Sequence, residues 1–371
     1  MEEMTTESLS KQASKQASKQ ASKQASKRIE WLDALKGVAI IAVVFGHSLL
    51  GYTENNAFGE YNDFFLQLKD WIYIWHMPFF MCLSGFSFSL AYYRDNKVDI
   101  AKVRKQVLNL LLLYIMFSIL LYGLKIPLAM FTDNKMSLGD ALLNLFFPNT
   151  IMWYLWVLAA YYFILICCGK LVNVIVAKPW IILGFLFFAA VVQKTSENIV
   201  SWRLCFGDFT RLAFYFCLGI VLSINRDKLK SGIKGLVTAG IAVVAVHCIY
   251  YVKWTGTYRV FDSVTNEFIA TLIVLLIFEA ASVYHGRRGL LPAIGRASLV
   301  IYLLHTYMVT AMKVVCIRMG LCSSLLMDVV VVTLSAVVPI AICYFVDFVR
   351  RKNRVIGMIF SPGKILTNKR E

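Results

Sequence analysis

Long apolar runs separated by short polar segments constrain this 371-residue chain more than any other feature. A run of about 20 apolar residues matches the hydrocarbon core of a bilayer, and a backbone placed there must satisfy its own hydrogen bonds. The runs fall at 31–52, 69–93, 106–130, 150–170, 178–193, 209–224, 235–253, 266–284, 296–317 and 324–349. Each is too long and too evenly apolar for an alternating strand. The chain is therefore expected to be all-α: a polytopic membrane bundle of about ten transmembrane helices.

Charge between the runs sets an orientation. Arg94, Lys97, Lys102, Arg104 and Lys105 follow the second run, Lys170 the fourth, Arg226, Lys228, Lys230 and Lys234 the sixth, and Arg287 and Arg288 the eighth. Arg350, Arg351, Lys352 and Arg354 follow the last, whereas the opposite loops carry Glu54, Glu60, Asp63, Glu197 and Asp208. By the positive-inside rule the basic segments and both termini face the cytoplasm. The same distribution accounts for the net charge of +16, so membrane lipids, and not nucleic acid, are the expected surroundings.

Residues 1–29 contain KQAS four times in succession from Lys11 to Ser26, a polar repeat that cannot bury a core and reads as a disordered cytoplasmic tail. No apolar centre of a cleaved signal precedes the first run, which is expected to stay as a helix. Residues 30–349 form the expected membrane domain and 350–371 a basic cytoplasmic tail, too short for a further soluble domain. The nine cysteines include no CxxC pair, and most, such as Cys82, Cys167, Cys168, Cys217, Cys248 and Cys343, lie inside apolar runs. They read as buried hydrophobes, with Cys205 and Cys322 placed where one bridge is allowed.

An ionisable side chain at bilayer depth costs at least about 2.5 to 3.5 kcal/mol, so each one is a functional candidate unless it snorkels. Lys36 and His47 bracket an uncharged stretch of the first run. Eleven residues are about 16 Å and three turns along a helix, so the two share a face. Lys36 also reads as a snorkelling anchor, and His47 as a hydrogen-bonded buried imidazole. His76 in the second run is expected at a depth close to that of His47, where the two can meet. Pro78 should kink that helix, and a kinked packing helix with Trp71 and Trp75 at the interface is the alternative there. In the ninth run, Arg296 is expected at the cytoplasmic start, His305 roughly 13 Å deeper, and Tyr302 one turn below His305. Glu279 is expected to pair with Lys36 or Arg296, since a buried carboxylate needs a partner. Arg211 reads as a holder of an anionic or hydroxyl-rich acceptor or as an interfacial anchor. His247 lies near the outer end of the seventh run.

Several chemistries are excluded by pattern: GxSxG, GxxxxGK[ST], HExxH and GxGxxG are all absent. The histidines lack carboxylates or thiolates at ligand spacing, so no metal site is expected.

Five stretches together, "DALKGVAIIAVVFGHS" from Asp33, "HMPFFMCLSGF" from His76, "WYLWVLAAYYF" from Trp153, "FCLGI" from Phe216 and "SLVIYLLHTY" from Ser298, resemble the membrane-bound acyltransferase 3 family. That family includes O-acetyltransferases of bacterial surface polysaccharides and fucose 4-O-acetylase-like proteins. The resemblance covers nearly all the chain after the KQAS tail. It implies a multi-pass enzyme of the bacterial inner membrane that takes an acyl group from acetyl-CoA or another acyl-CoA, a substrate and not a resident cofactor. The acceptor implied is a sugar hydroxyl of a glycan reached from the outer face. The family's first-helix motif is Arg, ten residues, His; Lys36 stands in the arginine's place and His47 matches the histidine, a change that keeps the charge and loses the planar fork. Lys36 and Arg296 are then the donor-binding cations and His47 and His76 the catalytic pair, with Arg211, Tyr302, His305 and Glu279 toward the acceptor or behind the site. Many relatives carry an additional soluble domain; here direct transfer to the acceptor is expected. Self-association is left open. A secondary transporter or flippase competes with this reading, because intramembrane ionisable groups also mark transport pathways. No repeat relates the first five runs to the last five, as transporter halves often would. A structural membrane scaffold leaves the histidines without a role.

Overall fold

A computed structural model of the chain describes residues 30–125, 138–146, 151–196, 206–226, 240, 241, 245, 259–283 and 289–363. The KQAS tail, His247, Arg287, Arg288, Cys205 and nearly all of the seventh run lie outside the described residues. The chain is an all-α membrane bundle. Its long helices are α1 (Glu30–Thr53), α2 (Asn62–Tyr92) and α3 (Ile100–Lys125). After the short α4 (Leu138–Phe146) come α5 (Trp153–Cys167), α6 (Leu171–Ala177), α7 (Pro179–Ser196) and α8 (Phe206–Ile224). Then follow α9 (Arg259–Val283), α10 (Leu290–Arg296), α11 (Ser298–Arg318), α12 (Leu325–Lys352) and α13 (Arg354–Ile359).

Among the described residues five helices are long and apolar enough to cross a membrane: α1, the second over Gly59–Tyr92, the third over Ile100–Leu124, α11 and α12. The fourth expected run, 150–170, is followed by a further helix that lies between it and the fifth run. Helix α5 stops at Cys167, and α6 leaves at 93° to α5, so the pair makes at most one further broken span. Gly169 and Lys170 occupy the break: one is a poor helix former and the other carries a charge unsuited to hydrocarbon. Pro179 then opens α7, where its missing N–H costs nothing. The ninth run also begins differently. Arg296 ends the separate helix α10 instead of starting the membrane helix, which opens at Ser298.

The basic segment after α2 is a two-stranded hairpin, β1 (Tyr93–Arg94) and β2 (Lys97–Val98). Asp95 and Asn96 turn it with φ of 50° and 57°, the left-handed conformation that a two-residue hairpin demands and these residue types tolerate.

Helix α2 sits at the centre, packed on α8 and α9. Gly85 and Gly219 make the α2–α8 crossing possible, because a Cβ on either would strike the partner helix's backbone, at Phe216 and Cys82 respectively. Around it Phe79, Phe86, Phe88, Tyr162, Phe216 and Phe278 fill the core. Exposed apolar side chains, including Trp180, Phe185 and Phe188 on α7 and Leu326 and Phe345 on α12, face outward, where lipid accounts for them as water would not.

Candidate active site

One end of α1 carries a cationic cluster built around a carboxylate. Asp33 is buried in the first turn, with Lys36 Nζ 4.0 Å from Oδ1 and Arg296 Nη1 3.9 Å from Oδ2. Lys36 and Arg296, about 260 residues apart in sequence, are thus brought together, and the carboxylate between them is Asp33. Glu279, expected as their partner, is buried on α9. Close backbone approach produces the juxtaposition: a Cβ on Gly37 would meet the Leu291 carbonyl, and one on Gly295 the Asp33 carbonyl. The cations keep open faces, with Lys36 32% and Arg296 42% exposed, so both retain donors for another anion.

Three turns further along α1 lies a cluster of imidazoles. The rings of His47 and His305 are 5.2 Å apart, centre to centre. His76 joins through Tyr73, whose ring lies 4.7 Å from His76 and 6.0 Å from His47 and whose hydroxyl is 3.3 Å from His47 Nδ1. Helices α1, α2 and α11 therefore each contribute one histidine. Backbone contacts fix two of the rings. His76 Nδ1–H donates to the Ile72 carbonyl at 2.9 Å, and His305 Nδ1–H to the carbonyls of Tyr302 at 2.8 Å and Ile301 at 3.0 Å. In the neutral form each then carries its lone pair on Nε2. His305 Nε2 is buried and has no hydrogen-bond partner among the described residues. Tyr302 lies behind His305, its ring tilted and 6.1 Å away and its hydroxyl donating to the Ile151 carbonyl. Next to it stand Tyr154 and Ser84, hydrogen-bonded to each other.

Arg211 is engaged inside the bundle. It pairs with Glu267 of α9 and donates from Nη2 to the Ile74 carbonyl of α2 at 3.1 Å. Glu267 is 2% exposed and also accepts from the Tyr215 hydroxyl at 2.8 Å.

The family model of acyltransferase 3, described as an acyltransferase domain, matches residues 29–347. The chain belongs to the acyltransferase 3 family. No curated protein and no solved structure matches it significantly. The match opens one residue before α1 and ends within α12, so it contains Lys36, His47, His76, Arg211, Arg296 and His305. With the apolar helices, it makes this protein a multi-pass membrane acyltransferase.

Three residues that shape this candidate site escaped the sequence reading. Asp33 and Tyr73 each lie three residues before a residue already singled out, Lys36 and His76, and that is one helical turn. Glu267 carried its own signal, a carboxylate at the start of an apolar run. What helical spacing could not reveal is that its partner is Arg211, on another helix.

Proposed function

We propose that this acyltransferase moves an acetyl or similar acyl group from cytoplasmic acyl-CoA to a hydroxyl of a surface glycan or its lipid-linked precursor. It would do so in a bacterial inner membrane with both termini in the cytoplasm. The observation that supports this most is that the cationic cluster and the imidazole cluster stand on the same helix, about 16 Å apart. Lys36 and Arg296 offer donors to the phosphates of coenzyme A, and the extended pantetheine arm carries the thioester toward the histidines.

Among the imidazoles, His47 Nδ1–H donates to the Tyr73 oxygen, which leaves the Nε2 lone pair to act as general base. Nε2 takes the proton from the acceptor hydroxyl as its oxygen bonds to the thioester carbon. The Tyr73 O–H donates to the oxyanion that develops on the thioester oxygen. The tetrahedral intermediate collapses with loss of the CoA thiolate, which takes the proton back from His47. Between these steps the imidazolium of His47 is steadied by the unshared Nε2 lone pair of His305.

Membranes containing the protein and supplied with labelled acetyl-CoA should place label in glycan or lipid-linked sugar. His47→Ala should lower that incorporation on the order of 100-fold or more, the usual contribution of a general base. Full transfer by a folded His47→Ala protein would remove the base assignment, and substrate movement without any label would favour transport.

A further inference from the structure

Pro78 lies in the middle of α2, two residues after His76. A proline has no N–H, so the carbonyl four residues earlier, that of Ile74, loses its helical donor. In hydrocarbon such a carbonyl must find another donor or cost several kcal/mol. The donor it finds is Arg211 Nη2, at 3.1 Å, reaching in from α8. The guanidinium is held in turn by Glu267, itself anchored by the Tyr215 hydroxyl. Ile74 lies between Ile72, whose carbonyl fixes the His76 ring, and His76 itself.

We propose that Arg211, held by Glu267, is a positioning residue for His76: it supplies the hydrogen bond that Pro78 removes and so fixes the turn of α2 that sets the imidazole against Tyr73. This rests on the acyl-transfer reading for its kinetic consequence but not for its structural one. The guanidinium does not touch the reacting atoms. It replaces a backbone donor, and a backbone donor should be able to replace it.

The test is a rescue. Arg211→Met with Glu267→Leu removes both buried charges together, which spares the bundle a stranded ion, but leaves the Ile74 carbonyl bare. Adding Pro78→Ala returns an N–H to that carbonyl. With labelled acetyl-CoA and membranes as the acceptor source, the double variant should show kcat lowered on the order of 100-fold, because the same turn of α2 carries Tyr73, the donor to the oxyanion, whose ring packs on His76, with KM for acetyl-CoA unchanged. The triple variant should recover most of the loss. Nitrogen-15 histidine spectra of the detergent-solubilised protein give a readout independent of turnover. His76 should show a single Nδ1–H tautomer in the wild type, a mixture in the double variant and the single form again in the triple. A double variant with wild-type kcat and an unchanged His76 signal, or a triple variant no better than the double, would overturn the proposal. Wild-type membranes that transfer no label, with the spectral changes as expected, would sink the acyl-CoA reading and leave the positioning of His76 standing.

Discussion

Among the described residues of this acyltransferase two helices carry a proline in their interior, and they are mended differently. In α2, Pro78 strips the Ile74 carbonyl and a buried ion pair supplies the replacement donor. In α12, Pro339 strips the Ser335 carbonyl, and the donor is the Ser48 hydroxyl from α1 at 2.9 Å. Ser48 also lies 3.0 Å from its own i−4 carbonyl, that of Val44, so its one hydrogen serves two acceptors. Arg211 has five N–H groups and can hold Ile74 and Glu267 at once. Each repair lies beside a histidine, His76 in one case and His47 in the other. The charged repair is rigid but depends on a second buried charge. The neutral one is softer and depends on nothing else. A membrane interior allows both, because what it penalises is the bare carbonyl and not the means of covering it.

The sharpest way to break this contrast is to remove one half of the ion pair. Glu267→Leu alone strands the Arg211 guanidinium, 12% exposed, without its counter-ion. The expected loss is about 3–5 kcal/mol of stability, the cost of an unpaired buried charge. It is checked by thermal unfolding in detergent against the Arg211→Met, Glu267→Leu double variant, which should be the more stable of the two. Equal stability would mean that water reaches the pair.

A smaller effect is expected at the second repair. Ser48→Ala bares the Ser335 carbonyl and relieves Val44 of nothing, since that carbonyl keeps its helical donor. The loss should be about 1–3 kcal/mol, the penalty for one unsatisfied buried acceptor. Adding Pro339→Ala should recover it. A loss as large as that of Glu267→Leu would show that the neutral repair carries more than one hydrogen bond's worth of structure.

These two sites also mark where a sequence stops being informative. Helices over the described apolar runs were legible because hydropathy and length are local properties, and Pro78 and Pro339 name their own orphaned carbonyls by counting back four residues. That Lys36 and His47 share a face follows from spacing alone. The partners do not follow. Arg211 reaching Ile74, Asp33 standing between Lys36 and Arg296, and Tyr73 joining His47 to His76 all cross between helices, and helix order in space is set by packing such as the Gly85–Gly219 crossing. The short helix over 171–177, at a right angle to α5, was not expected for a related reason: seven apolar residues are too few to mark a span, and hydropathy has no direction.

The least effect should come from Ser335→Ala. It leaves the carbonyl and its Ser48 donor untouched and deletes only the hydroxyl, which lies 2.7 Å from the Tyr52 hydroxyl. Two hydroxyls that satisfy each other contribute about 0.5–1.5 kcal/mol, and Tyr52 keeps its packing against Phe58. The variant therefore separates these two hydrogen bonds between α1 and α12. If it costs about 1 kcal/mol while Ser48→Ala costs more, the proline-freed carbonyl is what binds these helices beside His47. If Ser335→Ala is the costlier of the two, the Tyr52 hydroxyl is the true fastening, and the likeness between the two proline sites ends at the missing N–H.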